Sequence, residues 1–457
     1  MHSRRNFIKL SATVSIGFIG LNRFAQGCTP KDGLGYGDLI PDPKGILDLP
    51  KGFTYKIISE TGTKMTDGFY LPGAPDGMAT FSSTNGKTIL IRNHELNAGN
   101  AEIGPFGKNN ELLTKIDKSK VYDFGKGIKP GMGGTTTLVY DEDSQKVETE
   151  YLSLAGTIRN CAGGPTPWNS WITCEETIEK VGGMDGALEK DHGYTFEVPA
   201  SAKVGLAEPV PIKGMGRFNH EAVCVDPRTN IVYLTEDRPD GLIYRYLPND
   251  IKNIHKGGKL QALAVKGSKS MDTRNWENLT TPKLDKNKEV EVEWIHLENV
   301  EAPDDDLRLR GFESGAARFA RGEGMWFGND EIFFACTSGG TNNQGQIFKY
   351  LPSSKEGTAE EKGNPGKLEL FIEPNDSAIL KSCDNLTVAP WGDIIVCEDD
   401  KAPFVLGITP EGQIYKFARN AGHQSEFAGA TFSPSGKTLF VNMQGAGLTL
   451  AITGPWK

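Results

Sequence analysis

The sequence has no excess of basic charge: 50 Lys and Arg stand against 59 Asp and Glu, a formal net charge of −9. Binding a nucleic-acid backbone needs a dense cationic surface that releases counterions, so nucleic acid is excluded as a partner. A local phosphate site is not excluded, because local fields can oppose the net charge. No long segment carries a helical period, which argues against a bundle or a coiled coil. There is no zinc-type Cys-x-x-Cys pair, no Gly-x-Ser-x-Gly nucleophile elbow and no evident Ser/His/Asp order, so a covalent serine hydrolase is not expected. With 37% hydrophobic and 24% charged residues in 457, the chain also lacks the bias of a disordered or fibrous protein.

What it has instead is 55 Gly and 26 Pro, spread without a collagen-like period and marking many tight turns between short strands. One unit recurs six times: an apolar run, a Pro/Gly/Asn turn, and a second apolar run ending in polar residues. The copies are Gly77 to Glu95, Cys161 to Glu176, Glu221 to Asp237, Glu323 to Thr337, Asp384 to Asp399 and Ala428 to Gln444. Strand, turn, strand and then a further hairpin is the signature of propeller blades, so the expected fold is all-β, a six-bladed β-propeller with elaborated inter-blade loops. Five and seven blades are the neighbouring alternatives. Residues 33–457 read as a single catalytic domain, with the clearest insertion at 248–310, an ordered excursion holding Trp294-Ile295 and Asp304-Asp305-Asp306.

The first residues read differently. Ser3-Arg4-Arg5-Asn6-Phe7 precedes a weakly apolar run from Leu10 to Phe24, the form of a twin-arginine export signal over 1–28. Phe24-Ala25-Gln26-Gly27-Cys28 reads as a relaxed lipobox that makes Cys28 a lipidation candidate. The expected partners are therefore the Tat export machinery and a lipid anchor, the expected location the periplasm or the outer side of the cell envelope, and the mature protein a monomer. Export with six remaining cysteines invites a disulfide reading, although Cys174, Cys336 and Cys397 end apolar runs in the manner of buried thiols.

The carboxylates fall in register. Six residues before the turn prolines stand Cys161, Glu221 and Asp384, and Glu323 holds the same place before Asn329. Asp76 stands one residue out of register in the first copy, and the last has Ala428 with Glu426 two residues earlier. The second strands end in Asn93-His94-Glu95, Glu175-Glu176, Glu236-Asp237 and Glu398-Asp399, which antiparallel pairing returns to the same channel mouth. So many carboxylates raise one another's pKa unless cations offset them, which points to bound metal. Oxygen ligands suit Ca²⁺ or Mg²⁺, and one thiolate among them suits iron. Arg321 and Arg159, each two residues before a ring position, are candidates for holding an oxyanion or for balancing the acidic mouth. His94 and His220 are candidates for ligands, proton carriers or supporting contacts.

Asn160-Cys161-Ala162-Gly163-Gly164-Pro165-Thr166-Pro167-Trp168 running into Trp171-Ile172-Thr173-Cys174-Glu175-Glu176 resembles the central motif of the PhoX family of exported alkaline phosphatases. Asn219-His220-Glu221, Arg321-Gly322-Glu323-Gly324, Cys383-Asp384-Asn385-Leu386 and the twin-arginine start are also similar to it. The resemblance implies hydrolysis of phosphate monoesters at a cluster of Fe³⁺ and Ca²⁺. It also implies Cys161 as the iron thiolate, Glu221 and Glu323 as cluster carboxylates, and Arg321 as the phosphate-holding residue. Asp384, Glu95, Glu175, Glu176, Glu236, Glu398 and Asp399 complete the expected metal set, with Arg159 as a second catalytic arginine and His94, His220 and Asn160 around it. Two other readings are a calcium-dependent lactonase-like propeller, which has no need for Cys161 or for two arginines at the lip, and a non-catalytic calcium-binding surface propeller, in which the ring is purely structural.

Overall fold

Each of the six repeats folds as an antiparallel hairpin in the computed structural model, which describes residues 33–457. The twin-arginine motif and Cys28 lie outside the described residues. The hairpins pair Pro75–Ser82 with Thr88–His94, Asn160–Pro165 with Ser170–Glu175, His220–Val225 with Val232–Glu236, Gly322–Gly328 with Glu331–Cys336, Cys383–Val388 with Ile394–Glu398, and Phe427–Phe432 with Thr438–Met443. The first strand of each packs against the first strand of the next, and the sixth packs back on the first. This cycle of short, twisted sheets gives a propeller-like all-β arrangement.

Chain ends close the cycle. Thr54–Glu60, from the beginning of the described chain, pairs with Leu448–Thr453 at its end and completes the sixth sheet. Segments on opposite sides of the sequence thus share one ladder, and opening either would expose a sheet edge.

Residues 248–310, read from the sequence as an excursion between repeats, are built into the sheets. Gly258–Val265 is the fourth strand of the third repeat, and Glu289–His296 pairs with it on one side and with Lys367–Ile372 of the fourth repeat on the other. The third and fourth sheets therefore join into one of nine strands. A second excursion, residues 95–132, follows the first hairpin and packs its own core of Leu96, Phe106, Leu113, Ile116 and Met132 against Leu152 and Ala155 of the first sheet. Its Gly- and Lys-rich sequence carries no strand pattern, and the sequence reading had not singled it out.

The inner strands approach so closely that side chains are excluded at chosen points. A Cβ on Gly77 would lie 2.6 Å from the Cα of Ala162, and one on Gly324 would lie 2.6 Å from the amide of Leu386. Below the mouth Met78, Met325, Leu386 and Trp326 close the channel, leaving a cavity of about 20 Å³. The six described cysteines are all buried and free, so the disulfide reading does not hold among the described residues. They fill space between strands as small apolar groups.

Candidate metal centre

The mouth is built by register. In five repeats the last hairpin pair, such as Asn160 with Glu175 or Cys383 with Glu398, is followed by a register shift in the first strand, and in the sixth the shift comes one residue later, after Ala428 has paired with Asn442. A bulge of this kind re-aims the side chain it carries. The residue at this bulge is Asp76, Cys161, Glu221, Glu323 or Asp384, and its counterpart in the sixth repeat is the still-paired Ala428. Asp76 is thus in register, in contrast to the sequence reading. Counting back from the turn displaced it because the first hairpin carries a longer ladder beyond its bulge, from Met78 with Arg92 to Ser82 with Thr88, than the second, from Gly163 with Thr173 to Pro165 with Trp171. Just beyond the second strands stand Glu95, Glu176, Asp237, Thr337, Asp399 and Gln444, whose amides bond the carbonyls of Ala74, Arg159, Asn219, Arg321, Ser382 and Glu426. Those last six form the lip.

Cross-links between repeats hold the bulges in place. Asn93 donates to the carbonyls of Cys161 and Ala162 at 3.0 and 2.6 Å, Thr235 donates to the carbonyl of Glu323 at 2.7 Å, and Asn442 donates to that of Asp76 at 2.6 Å. All three stand one residue before the last hairpin pair of their repeat, so the same lock joins three of the six junctions.

Three groups of donors converge with ligand atoms within 4.8 Å of one another: Cys161, Glu176 and Glu221; Glu221, Glu323 and Asp384; and Asp384, Asp399 and Glu426. Two carboxylates about 5 Å apart repel by roughly 3 kcal/mol at an effective dielectric of about 20, before the cost of burying them. The titrations carry that strain. Burial, with the charges of Glu176 and Asp384, pushes Glu221 well up, and burial with Asp237 and Asp384 does the same to Glu323. Burial, offset by Arg159, takes Glu176 to about 8, and burial together with Asp399 takes Asp384 to about 7. Glu426 goes up to about 11 through burial and a hydrogen bond shared with Asp399. Burial, then Glu221 and Glu176, also push the Cys161 thiol up.

Two arginines bound this anionic surface. Arg321 forks onto Asp237 at 2.7 and 2.8 Å and reaches Glu323 at 3.0 Å. Arg159 bonds Glu95 at 2.6 Å and also pairs with Glu176. Both occupy the lip with left-handed backbones, φ 55° and 51°. Strand alternation therefore does not set their direction; a conformation costly for a non-glycine residue does. Gln444 donates to Glu95 at 2.9 Å and to Asp76 at 3.0 Å, so both oxygens of Glu95 are occupied. Between the arginines in repeat order, the lip position of the third repeat is Asn219, whose buried Oδ1 has no hydrogen-bond partner among the described residues. Sequence reasoning placed Asp237 at the mouth without choosing it over Glu236, and singled out neither Asn219 nor Gln444; each is the lip or second-strand counterpart of a residue it did select.

Several expected site residues face elsewhere. Glu175 accepts from the amides of Ile158, Gly193 and Tyr194 and from His192. Glu236 accepts from the amide of Leu242 and the hydroxyl of Tyr244, and Glu398 from the amides of Lys381 and Phe404. These three end the hydrogen-bonded strand and point into their own sheets. His94, at the equivalent place, bonds the Gly73 carbonyl and Thr136. His220 bonds the Gly216 carbonyl and stacks on Phe218 at 3.6 Å, and Asn160 bonds Thr157 and Thr173. None of these six belongs to the three converging groups.

The geometry defines a class: a propeller-like protein whose channel mouth joins a thiol and clustered carboxylates to two fixed arginines. A family model described as alkaline phosphatase PhoX matches residues 34–447, and the chain belongs to that family. Hydrolysis of phosphate monoesters is the activity that follows from membership. The structure is similar to Pseudomonas fluorescens PhoX in complex with vanadate, a transition state analogue, with 17% identity, TM-score 0.60, and coverage of 92% of this chain and 98% of that one. XC5397, a gluconolactonase from Xanthomonas campestris, aligns over 92% of this chain and 99% of its own at 12% identity and a TM-score of 0.38, too low to carry an argument. A search of curated protein sequences finds no match.

Proposed function

We propose that the chain is a six-bladed, single-domain phosphomonoesterase working at a mixed iron and calcium centre in the channel mouth. The observation that carries the reading is the set of three overlapping donor groups, only one of which contains a thiol. Cys161 with Glu176 and Glu221 suits iron, and the two all-carboxylate groups sharing Asp384 suit calcium. Carboxyls pushed up by crowding, and the unpartnered Oδ1 of Asn219, fit a mouth completed by cations. The cycle of six inner strands supports the blade count.

When bound, such ions polarise phosphoryl oxygens and make water acidic enough to attack at moderate pH. The chain supplies the rest. Arg321 and Arg159 are held through Nε and Nη2, which leaves Nη1 of each to face an incoming phosphate from two sides of the mouth. These two fixed donors cost no reorganisation as charge develops. Below, the packed floor of Met78, Met325 and Leu386 keeps the reaction at the mouth. Export of the folded protein by the Tat pathway, anchoring through Cys28 and a monomeric state belong to the same proposal; the twin-arginine motif supports the first and the lipobox the second.

Elemental analysis of the purified protein beside phosphate release from p-nitrophenyl phosphate tests the reading. Iron, calcium and turnover should occur together, and Cys161→Ser should lose iron in step with activity. Full turnover in protein free of both metals would defeat it.

A further inference from the structure

The segment inserted between the third and fourth repeats also builds a groove beside the mouth. Trp276, Glu277 and Asn278 line one side and Thr341 and Asn343 the other, around a volume of about 580 Å³. We infer that this groove receives the alcohol part of the phosphate monoester, and that the alcohol it takes is a sugar or another hydroxyl-rich polyol. The inference rests on the phosphatase reading above.

Position is the first argument. The lip arginine Arg321 accepts at its carbonyl the amide of Thr337, at 3.0 Å. Thr337 is the fourth repeat's second-strand mouth residue, and the next carbonyl, that of Ser338, accepts the indole N–H of Trp276 at 2.6 Å. One Cα step plus that bond places the indole nitrogen within about 9 Å of the Thr337 Cα. A phosphate held by Arg321 would therefore have its ester group within reach of the groove.

Rigidity is the second. The guanidinium of Arg274 covers one face of the indole at 4.0 Å, while Arg274 itself is clamped to Asp272 at 2.8 and 2.6 Å and to the Pro239 carbonyl at 2.9 Å. The opposite wall is tied down as well: Asn342 bonds Asn375 through its amide at 3.2 Å and through its side chain at 2.8 Å. A fixed indole and a fixed loop form a platform that loses little freedom when a ligand docks.

Chemistry is the third. Apart from the indole, the lining consists of two amides, a hydroxyl and the carboxylate of Glu277, and the Lys283 ammonium bonds Thr341 at its edge, at 3.0 Å. Alternating donors and acceptors around one aromatic surface match the C–H face and hydroxyl rim of a pyranose or polyol. A lipid tail would leave those amides unpaired, and a polyphosphate would meet Glu277.

Substrate comparison on the metal-loaded protein tests this. The ratio of kcat/KM for glucose 6-phosphate to that for methyl phosphate, whose alcohol is too small to reach the groove, should fall about tenfold in Trp276→Ala. Binding energy from a remote part of the substrate is expressed in this ratio. An unchanged ratio overturns the inference, and so does a larger loss on adenosine 5′-monophosphate than on glucose 6-phosphate, which would assign the groove to a base. If Trp276→Ala does not fold, the exposed pair Glu277→Ala/Asn278→Ala should lower the same ratio, and no change there is equally decisive. Failure of the native protein to hydrolyse either ester would instead defeat the phosphatase reading itself.

Discussion

Glu175 and Glu176 are neighbours in the chain and belong to two regions with opposite electrostatics. Behind the mouth, Glu175 and Asp123 enclose His192 at 2.6 and 3.3 Å, all three side chains are shut from solvent, and backbone amides fill the remaining acceptor sites. Burial works against a charge on His192, but Glu175 and Asp123 outweigh it, and its pKa goes up to about 9. In the mouth, Glu176 joins Asp76, Glu95, Glu221, Asp237, Glu323, Asp384, Asp399 and Glu426, and among the described residues Arg159 and Arg321 are the cations paired with them. One region contains its own counter-charge; the other leaves it to a ligand. Buried ions that are paired hold structure together, while buried like charges held by a rigid frame mark a site awaiting cations.

The comparison can be broken most severely by chelation. Stripping metal from the loaded protein should abolish phosphate release and leave far-ultraviolet circular dichroism unchanged, because the His192 region and the hairpin ladders need no metal. Activity that survives chelation would mean that the mouth is balanced by other means. Next in size, Arg321→Ala should lower kcat/KM by about 100- to 1,000-fold, the cost of losing one fixed oxyanion donor. Arg321→Lys should recover only part of it, since an ammonium cannot fork onto Asp237 and face phosphate together.

On the other side, His192→Ala leaves Glu175 and Asp123 buried without their cation and should cost about 3–5 kcal/mol of stability, read from denaturant unfolding. The pH dependence has a definite sign. The folded pKa of His192, about 9, lies above its ordinary 6.5, so its contribution is complete below pH 6.5 and is lost as pH rises through 9. The difference in Tm between native protein and His192→Ala should therefore shrink between pH 6.5 and 10; a difference that grows with pH contradicts a charged His192. Smallest, Gln444→Ala should loosen Glu95 and through it Arg159, lowering kcat/KM about tenfold, with Gln444→Glu worse because it adds a carboxylate beside Asp76 and Glu95. A Gln444→Ala protein with native kinetics would show that Arg159 is held by Glu176 alone.

Much of the mouth was legible in the chain. Cys161, Glu221, Glu323 and Asp384 stand at one place in four repeats, and that spacing alone brings them to one level of a closed ring. The second-strand acids were legible as pairs and no further: Glu175 or Glu176, Glu398 or Asp399. Side chains alternate along a strand, so a choice between neighbours depends on the last hydrogen-bonded pair, and ladder lengths that differ between hairpins hide that pair from a count along the sequence. The same slip displaced Asp76. Gln444 and Asn219 escaped notice because neither is acidic, although both occupy positions whose counterparts in other repeats are charged.

The sequence by itself determined an all-β chain of six hairpins, an acidic set at one end of their strands, and two arginines beside it, because turn residues, strand periodicity and charge are local properties. Only the tertiary structure decided which acid of each pair enters the mouth, how Gln444 and Glu95 fix Arg159, that residues 95–132 pack a core of their own, and that residues 248–310 join the third and fourth sheets. Those outcomes depend on bulges, left-handed lip residues and contacts between distant segments, such as Thr54–Glu60 on Leu448–Thr453, that form only when the ring closes.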